Sequence, residues 1–383
     1  MMTAADDDLR ALFELTDELV EREVRPVAAA AEESGHFPRE LFKVIGGAGL
    51  LGLPYPAEYG GGGVSYETFL QVVEKLAAGW LAIGLGVSVH TLACFPVAAF
   101  GSARQRDQWL PGMLGGDLLG AYCLSEPHCG SDAAALRTRA ARGPSGYTVD
   151  GVKAWITHGG VADFYALFAR TDGEGVGPNR AQGISCLHVP ASAPGVSAAP
   201  PERKMGMRSS VTAQMIFEGA QVPADHLIGP EGAGFKVALA ALDAGRLGIA
   251  ACSAGLAQAA LDVAVGYAKE RQQFGRPIIK FDGLSFMLAD MATAVAAARA
   301  LYREGARRKD QGRPFGTQAS MAKLFASDAA MRVATDAVQV LGGNGYVTDF
   351  PAERYLREAK MLQIVEGTNQ IQRLVIGRAL AES

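Results

Sequence analysis

One carboxylate near the end of the chain has the surroundings of a catalytic base. Glu366 follows apolar Ile364-Val365 and precedes Gly367-Thr368. Apolar neighbours withdraw water from a carboxylate and raise its affinity for a proton, while the Gly-Thr step is typical of a helix start with free backbone amides. These are the requirements of a base that removes a weakly acidic C–H proton. The alternative is an ordinary acid that interacts favourably with the dipole of the following helix.

Two earlier segments carry groups that suit an aromatic, phosphate-bearing ligand. Ser125 and Ser131 bracket the sequence Glu-Pro-His-Cys-Gly, and such a turn presents hydroxyls and backbone amides to the polar edge and phosphates of a bound ligand. Trp155 and Thr157 offer an aromatic face and a hydroxyl two residues apart. Each segment also has an ordinary interpretation, a Gly-rich turn in the first case and a core tryptophan in the second.

The composition predicts a globular protein with a large core. The chain has 383 residues, 49% of them hydrophobic, and this length predicts two or three compact units. Its 36 basic and 40 acidic residues give a net charge of −4, which favours neither nucleic acid nor an anionic membrane surface as a partner. Five cysteines without C-x-x-C spacing indicate reduced thiols rather than disulfides or a metal site. We therefore expect a cytoplasmic protein without a bound metal.

The segment 79–101 requires a test against a membrane span. It contains no Asp, Glu, Lys or Arg and is long enough to cross a bilayer. Ser88, His90 and Pro96 interrupt it, however, and no Lys/Arg cluster flanks it. We therefore expect a helix or helix pair buried in the core, no membrane span, and a hydrogen-bonded core histidine at His90.

The hydrophobic periodicity changes twice along the chain. Residues 1–121 have the helical period, residues 122–232 consist of short β-prone runs punctuated by Gly, Pro and Asn, and residues 233–383 return to the helical period over four or five long helices. The pattern predicts a mainly α, α+β fold. Its parts are an N-terminal helical domain, a middle antiparallel β-barrel and a C-terminal antiparallel helical bundle.

The order and spacing of these segments resemble the acyl-CoA dehydrogenase family across essentially the whole chain. The first family motif is matched by the sequence from Tyr122 to Asp132, and the second by residues 339–345 together with Asp349, Arg354 and Glu358. The resemblance implies the acyl-CoA dehydrogenase fold, FAD as cofactor, and a homotetramer organised as a dimer of dimers.

The resemblance also implies which residues hold the cofactor. It places Trp155 and Thr157 against the isoalloxazine ring and Arg271 on the pyrophosphate, a role that suits the planar charged fork of an arginine. Arg271 could instead be a solvated charge at a helix C-terminus. Part of this site is contributed across a subunit interface. The implied cofactor residues are Tyr122, Ser125, Ser131, Trp155, Thr157, Arg271, Gln273, Phe274, Gln339, Gly342, Gly343, Thr368 and Gln370.

The family offers two positions for the base. One is the match to Glu366 and the other immediately precedes the arginine matched by Arg246, where this chain has Gly245. The resemblance therefore assigns the base to Glu366. Asp243 and Arg246 match residues near the CoA thioester, although they could also form a helix-surface ion pair of little energetic value. The implied substrate-binding residues are Ser131, Asp243, Arg246, Val365 and Gly367.

Four residues depart from the family pattern. His128 and Cys129 stand where Gly and a small residue are usual, His158 replaces a usual Asn, and Asp282 replaces a common Gln. The first three could reshape access to the flavin, and Asp282 could accept a hydrogen bond from a ribose hydroxyl.

The implied reaction is α,β-dehydrogenation of a saturated acyl-CoA thioester to the trans-2-enoyl thioester. Glu366 removes the α proton, the β hydrogen leaves as hydride to flavin N5, and electron-transfer flavoprotein accepts the electrons. Val365, where many relatives have Tyr, and the segment 88–92 favour a short or branched acyl chain. Two alternatives remain: an acyl-carrier-protein dehydrogenase or acyl-CoA oxidase of specialised metabolism, and a non-catalytic binding protein on the same fold.

Overall fold

The N-terminal part of the chain is helical, as the periodicity predicts. The structure is a computed structural model that describes residues 4–171 and 179–382. A π-helical turn, Val20–Val24, joins the first two helices, and Ser65 caps the fourth by accepting a hydrogen bond from Thr68 N at 3.1 Å. The helices are α1 (Ala4–Leu19), α2 (Arg25–Ser34), α3 (Arg39–Gly47), α4 (Tyr66–Gly79), α5 (Leu81–Phe100) and α6 (Ala103–Leu114).

The middle of the chain forms an eight-stranded sheet. Its strands are β1 (Gly120–Cys123), β2 (Arg139–Gly143), β3 (Gly146–Thr157), β4 (Phe164–Arg170), β5 (Ile184–Pro190), β6 (Val196–Ala198), β7 (Thr212–Pro223) and β8 (Leu227–Ile228). The order is β6-β7-β3-β2-β4-β5-β8, with β1 also parallel to β4. Buried side chains of several strands form one core, among them Val149 on β3, Leu187 on β5 and Phe217 on β7.

The predicted antiparallel barrel is not confirmed, because the sheet is open. The short strands β6 and β8 end the sheet on opposite sides, and no pairing in the described residues joins them. One half of the sheet is β6-β7-β3-β2 and the other is β4-β5-β8. Among the described residues, the strand pairing that joins these halves is the single parallel pair of Arg139 on β2 and Arg170 on β4. An open sheet results because β6 and β8, with three and two residues, are too short to close it.

The C-terminal part is a helical bundle with a small hairpin at one end. Arg354 and Glu358, both from the second motif, form a buried ion pair at 3.6 Å on its fifth helix. The helices are α7 (Gly234–Glu270), α8 (Asp282–Asp310), α9 (Gly316–Leu341), α10 (Gly343–Tyr346), α11 (Ala352–Leu362) and α12 (Asn369–Glu382), and the hairpin strands are β9 (Gln272–Gln273) and β10 (Arg276–Pro277). Buried alanines on α7 and α9 allow these two helices to pack closely.

Three described helices, α5, α7 and α8, are long and apolar enough to cross a membrane by length and composition alone. The apolar windows of α5 and α7 are 89% and 78% buried inside the protein, so they belong to its core. This agrees with the buried helix predicted for residues 79–101. The window of α8 is only 22% buried and leaves an apolar surface.

Two buried histidines attach the sheet to the helices at Gly120. The Gly120 amide donates to His90 Nδ1 at 3.0 Å, and His90 Nε2 donates to Met113 O at 2.9 Å. His158 Nδ1 donates to Gly120 O at 2.9 Å. Burial lowers the pKa of both histidines to about 4, so both are neutral. His90 is the predicted core histidine, and His158 is likewise a core residue, packed edge-on against Phe42.

Candidate active site

Glu366 lies in the loop between α11 and α12, in an uncommon backbone conformation. Its φ is 53° and that of Gly367 is 90°, so two consecutive residues occupy the left-handed region. Both carboxylate oxygens are buried and accept no hydrogen bond from any residue that the structure describes. Burial raises the pKa of Glu366 to about 7, although Lys323 and Arg246 act to lower it. The carboxylate is therefore half ionised near neutral pH and has no partner that competes for a substrate proton.

The Glu366 carboxylate does not cap α12. Thr368 does so, because its Oγ1 accepts a hydrogen bond from Ile371 N at 3.4 Å. The amides of Glu366, Gly367 and Thr368 donate to no described residue. Three free donors therefore stand beside the buried acid, as the sequence predicts, and they suit an oxygen that gains negative charge. Val365 is half-buried beside them, whereas Gln370 is exposed on the first turn of α12.

Gly245 on α7 provides the space that the Glu366 carboxylate occupies. A Cβ at position 245 would lie 2.1 Å from Glu366 Oε2 and 3.2 Å from Leu92 Cδ1. The first distance is far shorter than any real contact, so no side chain fits at 245 while the carboxylate stays in place. The loop between α11 and α12 therefore supplies the carboxylate, and α7 supplies the space for it at Gly245.

A buried polar network on α9 holds the loop. Lys323 Nζ donates to Gly367 O at 3.0 Å and to Asn369 Oδ1 at 2.8 Å. Asn369 Nδ2 donates to Asp328 Oδ1 at 2.7 Å, and Gln372 Nε2 donates to Gly367 O at 2.9 Å. Burial lowers the pKa of Lys323 to about 8, although the charge of Glu366 raises it. Sequence reasoning missed this network, whose one signal was a lysine inside an apolar, alanine-rich helix.

Asp243 and Arg246 form an ion pair, with Oδ1 and Nη1 2.6 Å apart. The alternative of a helix-surface pair is wrong, because the Arg246 side chain is only 8% exposed. Burial raises the pKa of Asp243, and Arg246 lowers it. Arg246 Nε has no hydrogen-bond partner among the described residues. The pair brings a buried cation close enough to Glu366 to lower its pKa.

A cavity of about 220 Å³ lies beside Gly245. The segment 88–92 of α5 contributes Ser88, Thr91 and Leu92 to its wall. Tyr66 also lines it, and its hydroxyl donates to Ala244 O at 3.0 Å. Burial, followed by the charge of Glu366, raises the pKa of Tyr66, so this phenol lies near the base. The cavity is therefore placed to receive a chain that extends from the reacting carbon.

The first motif folds as a loop held from below by a buried ion pair. Glu126 Oε1 accepts hydrogen bonds from Lys153 Nζ at 2.8 Å and Thr138 N at 2.9 Å, and its Oε2 accepts one from Arg137 N at 2.7 Å. Reciprocal backbone bonds between Glu126 and Cys129 close the turn. Glu126, His128 and Cys129 offer ligand atoms within 4.8 Å of one another. Because three of the four lone pairs of the Glu126 carboxylate already accept hydrogen bonds, one of them from the Lys153 ammonium, we assign no metal there.

The middle-domain residues predicted for the flavin come together on β1, β3 and the first-motif loop. Ser125 O accepts a hydrogen bond from Ala154 N at 2.9 Å, and Tyr122 OH donates to Ala238 O at 3.2 Å. A register shift between Lys153 and Ile156 makes a bulge at Trp155, which has a φ of 62° and is 65% exposed. The last two predicted flavin residues of the middle domain are Thr157, which is half-buried at the end of β3, and Ser131, which is exposed in the first-motif loop.

A second group of predicted flavin residues, apart from Thr368 and Gln370 beside Glu366, lies at one end of the bundle. Arg271, Gln273 and Phe274 occupy the β9–β10 hairpin region, and Phe274 is 93% exposed. Asn344 Nδ2 donates to Tyr267 OH at 2.8 Å, which joins this region to the exposed Gln339, Gly342 and Gly343. Asp282 is exposed as the first residue of α8. Among residues 4–171 and 179–382, no hydrogen bond joins this group to the middle-domain group.

Comparisons with known proteins assign the chain to a family. Models of the acyl-CoA dehydrogenase N-terminal, middle and C-terminal domains match residues 6–117, 121–220 and 232–381. An acyl-CoA dehydrogenase of Bacillus subtilis is 46% identical over 94% of each chain. The mitochondrial short-chain specific acyl-CoA dehydrogenase of Rattus norvegicus is 42% identical over 96% of this chain and 88% of its own. The structure of butyryl-CoA dehydrogenase from Megasphaera elsdenii superposes with a TM-score of 0.94, at 38% identity, over 100% of this chain and 99% of that one.

Fold, site and comparisons together define an FAD-dependent oxidoreductase. The chain belongs to the acyl-CoA dehydrogenase family and has acyl-CoA dehydrogenase activity. Its residues fit the cofactor. Trp155 and Phe274 present uncovered aromatic faces, and Arg271 has no ion-pair partner in the described part of the chain. Aromatic faces and an unpaired guanidinium suit the rings and the pyrophosphate of FAD.

Gly245→Ala tests whether the gap on α7 positions the base. The added methyl would displace the Glu366 carboxylate, so we expect the rate constant of substrate dehydrogenation to fall by roughly a hundredfold, while bound flavin is retained. Gly266→Ala on the same helix is the control, because its Cβ would meet nothing within 4 Å. Equal activity of the two variants would contradict the assignment.

Lys323→Met tests the electrostatic role of the buried lysine. Without this cation the pKa of Glu366 should rise, and the acid limb of the pH profile of kcat/KM should move upwards by about one unit. Ser285→Ala, which removes a hydroxyl in the first turn of α8 outside the network, serves as control. A lowered kcat with an unmoved acid limb would show that Lys323 acts only by holding the loop.

Proposed function

We propose that the chain catalyses α,β-dehydrogenation of a short-chain acyl-CoA, with Glu366 as the base that removes the α proton. The observation that carries this proposal is the buried, unpartnered carboxylate of Glu366 beside a cavity that opens at Gly245. FAD, when bound, supplies at its N5 the acceptor for the β hydrogen. The carboxylate has no competing hydrogen-bond donor among the described residues, so its lone pairs are available to the substrate.

The loop that carries the base also supplies groups that stabilise negative charge. The proton leaves the α carbon as charge develops on the thioester oxygen, and the free amides of Glu366 and Gly367 are suited to donate to that oxygen. Arg246 adds a fixed positive charge nearby. An acyl chain that fills the cavity displaces water from it, which strengthens these interactions and keeps the carboxylate basic.

The size of the cavity supports a short acyl chain. A cavity of about 220 Å³ has room for an acyl group of a few carbons. The relatives named for short-chain and butyryl substrates agree with this choice.

Electron-transfer flavoprotein is the electron acceptor that we propose, on the strength of the family. We also propose a cytoplasmic location, which is supported by five buried, free cysteines.

Anaerobic titration of the flavin-loaded enzyme with butyryl-CoA tests the proposed reaction. We expect the absorbance of the oxidised flavin at roughly 450 nm to decrease in the wild type and to stay unchanged with Glu366→Gln. Because the base acts as a carboxylate, kcat/KM should rise about tenfold per pH unit below 7 and level off above it.

Glu358→Gln is the matched control, since Glu358 is a buried glutamate with a pKa raised to about 8 that does not line the cavity. Its turnover should stay within about threefold of the wild type. Bleaching by Glu366→Gln at the wild-type rate would refute the assignment of the base. Flavin that no acyl-CoA bleaches would point to carrier-protein thioesters, and a protein that binds no flavin would point to a binding role.

We further propose a homotetramer organised as a dimer of dimers. Two observations support it: the separation of the two flavin-binding groups within one chain, and an apolar groove of about 710 Å³ between α8, α9 and α12. The groove includes Leu301, Leu324, Phe325 and Ile376. An exposed apolar groove of this size is typical of a subunit contact.

Phe325→Glu should therefore halve the mass in sedimentation while each dimer keeps its flavin, because a charge buried in an apolar contact is unfavourable. Arg378→Glu, an exposed change on α12 outside the groove, should leave the tetramer intact. An unchanged mass for Phe325→Glu would contradict the role of the groove.

A further inference from the structure

Lys309 brings an ammonium group to the wall of the acyl cavity. It is the penultimate residue of α8, it is half-buried, and it lines the cavity together with Tyr66, Thr91 and Gly245. Its Nζ lies 4.4 Å from the centroid of the Tyr66 ring. A cavity for a simple alkyl chain gains nothing from a cation in its wall, because alkyl groups offer no compensation for its lost hydration.

Lys309 differs from its basic neighbours in lacking a carboxylate. Arg307 pairs with Glu67 at 2.8 Å, and Arg308 pairs with Glu304 at 2.9 Å. No ion pair or hydrogen bond of Lys309 Nζ occurs among the described residues. Asp310 is close in sequence, but its two oxygens accept hydrogen bonds from the Tyr66 and Glu67 amides, at 2.7 and 3.1 Å. Burial lowers the pKa of Lys309, and Asp310 only partly offsets this.

Tyr66 separates Lys309 from the base. Its backbone amide is held by Asp310 at the end of α8, whereas its hydroxyl donates to Ala244 O, next to Gly245. The side chain therefore spans the distance from the end of α8 to the place where the Glu366 carboxylate lies. A chain that begins at the base and follows the Tyr66 ring approaches the ammonium group.

A second polar group in the wall is also without a partner. Thr91 is 6% exposed, and its Oγ1 accepts and donates no hydrogen bond among the described residues. Its carbonyl, by contrast, accepts a hydrogen bond from Tyr55 OH at 2.5 Å. A buried hydroxyl without a partner is unfavourable, and a ligand that supplies an acceptor removes this cost.

We propose that this site takes an acyl-CoA whose chain ends in a carboxylate, and that Lys309 is the residue that selects it. The inference rests on the proposed function and deepens it by naming the substrate class. A terminal carboxylate provides the counter-ion that Lys309 lacks and an acceptor for a buried hydroxyl such as that of Thr91. The reaction is unchanged: the α proton goes to Glu366 and the β hydrogen to the cofactor, with the distal carboxylate untouched.

The test compares thioesters of equal length that differ only at the end of the chain. Anaerobic flavin reduction is followed with pentanoyl-CoA against glutaryl-CoA, and with hexanoyl-CoA against adipyl-CoA. The readout is the ratio of kcat/KM for the carboxylated thioester to that for its unsubstituted partner. In the wild type we expect a ratio above one for at least one pair, and Lys309→Met should lower that ratio at least tenfold.

Two further variants keep the result specific. Lys309→Arg preserves the charge and should retain most of the ratio, whereas Arg308→Met, on the next residue of α8, should leave both rates unchanged. A wild-type ratio below one for both pairs, or a ratio that Lys309→Met does not lower, would overturn the inference. Pentanoyl-CoA still bleaches the flavin in those cases, so the proposed reaction stands. Failure of every thioester to bleach it would instead remove the proposed function and this inference together.

Discussion

The desolvated carboxylate of Glu366 is the constraint on which the rest of the site depends. An ionised carboxylate without a hydrogen bond is unfavourable inside a protein, and buried charges are usually paired for that reason. Here three elements maintain it: α7 leaves a gap at Gly245, α9 anchors the loop through Lys323, and the α11–α12 loop adopts left-handed backbone angles. The protein accepts reduced stability at this point and gains a base that is active near neutral pH.

The fold distributes the tasks of the site among its three parts. The helical domain supplies α5 and Tyr66 for the cavity, the sheet presents Trp155 on a bulge, and the bundle carries the base and its anchors. The buried pair of Glu126 and Lys153 fixes the first-motif loop to β3, so the sheet takes part in positioning that loop.

Sequence patterns predicted the individual helices and strands better than the way in which the strands of the middle domain pair. The run from Gly146 to Thr157 has the residues of strand β3, and the charge-free segment 79–101 is a buried helix, because hydrophobic period and composition are local properties. The predicted barrel is not confirmed, because closure depends on pairings between strands far apart in the chain, which local patterns do not encode.

The same distinction applies within the site. Glu366 was identifiable from its motif, whereas Lys323 and Tyr66 act through contacts between residues far apart in the chain, which a single sequence does not encode in any local pattern. The junction at Gly120 has a further consequence, for acid solutions. Its two histidines are neutral in the fold but take up protons readily once the chain unfolds, so acid favours the unfolded chain between pH 6.5 and about 4. Each contributes roughly 3 kcal/mol to this loss, so acid weakens the attachment of the sheet to the helices.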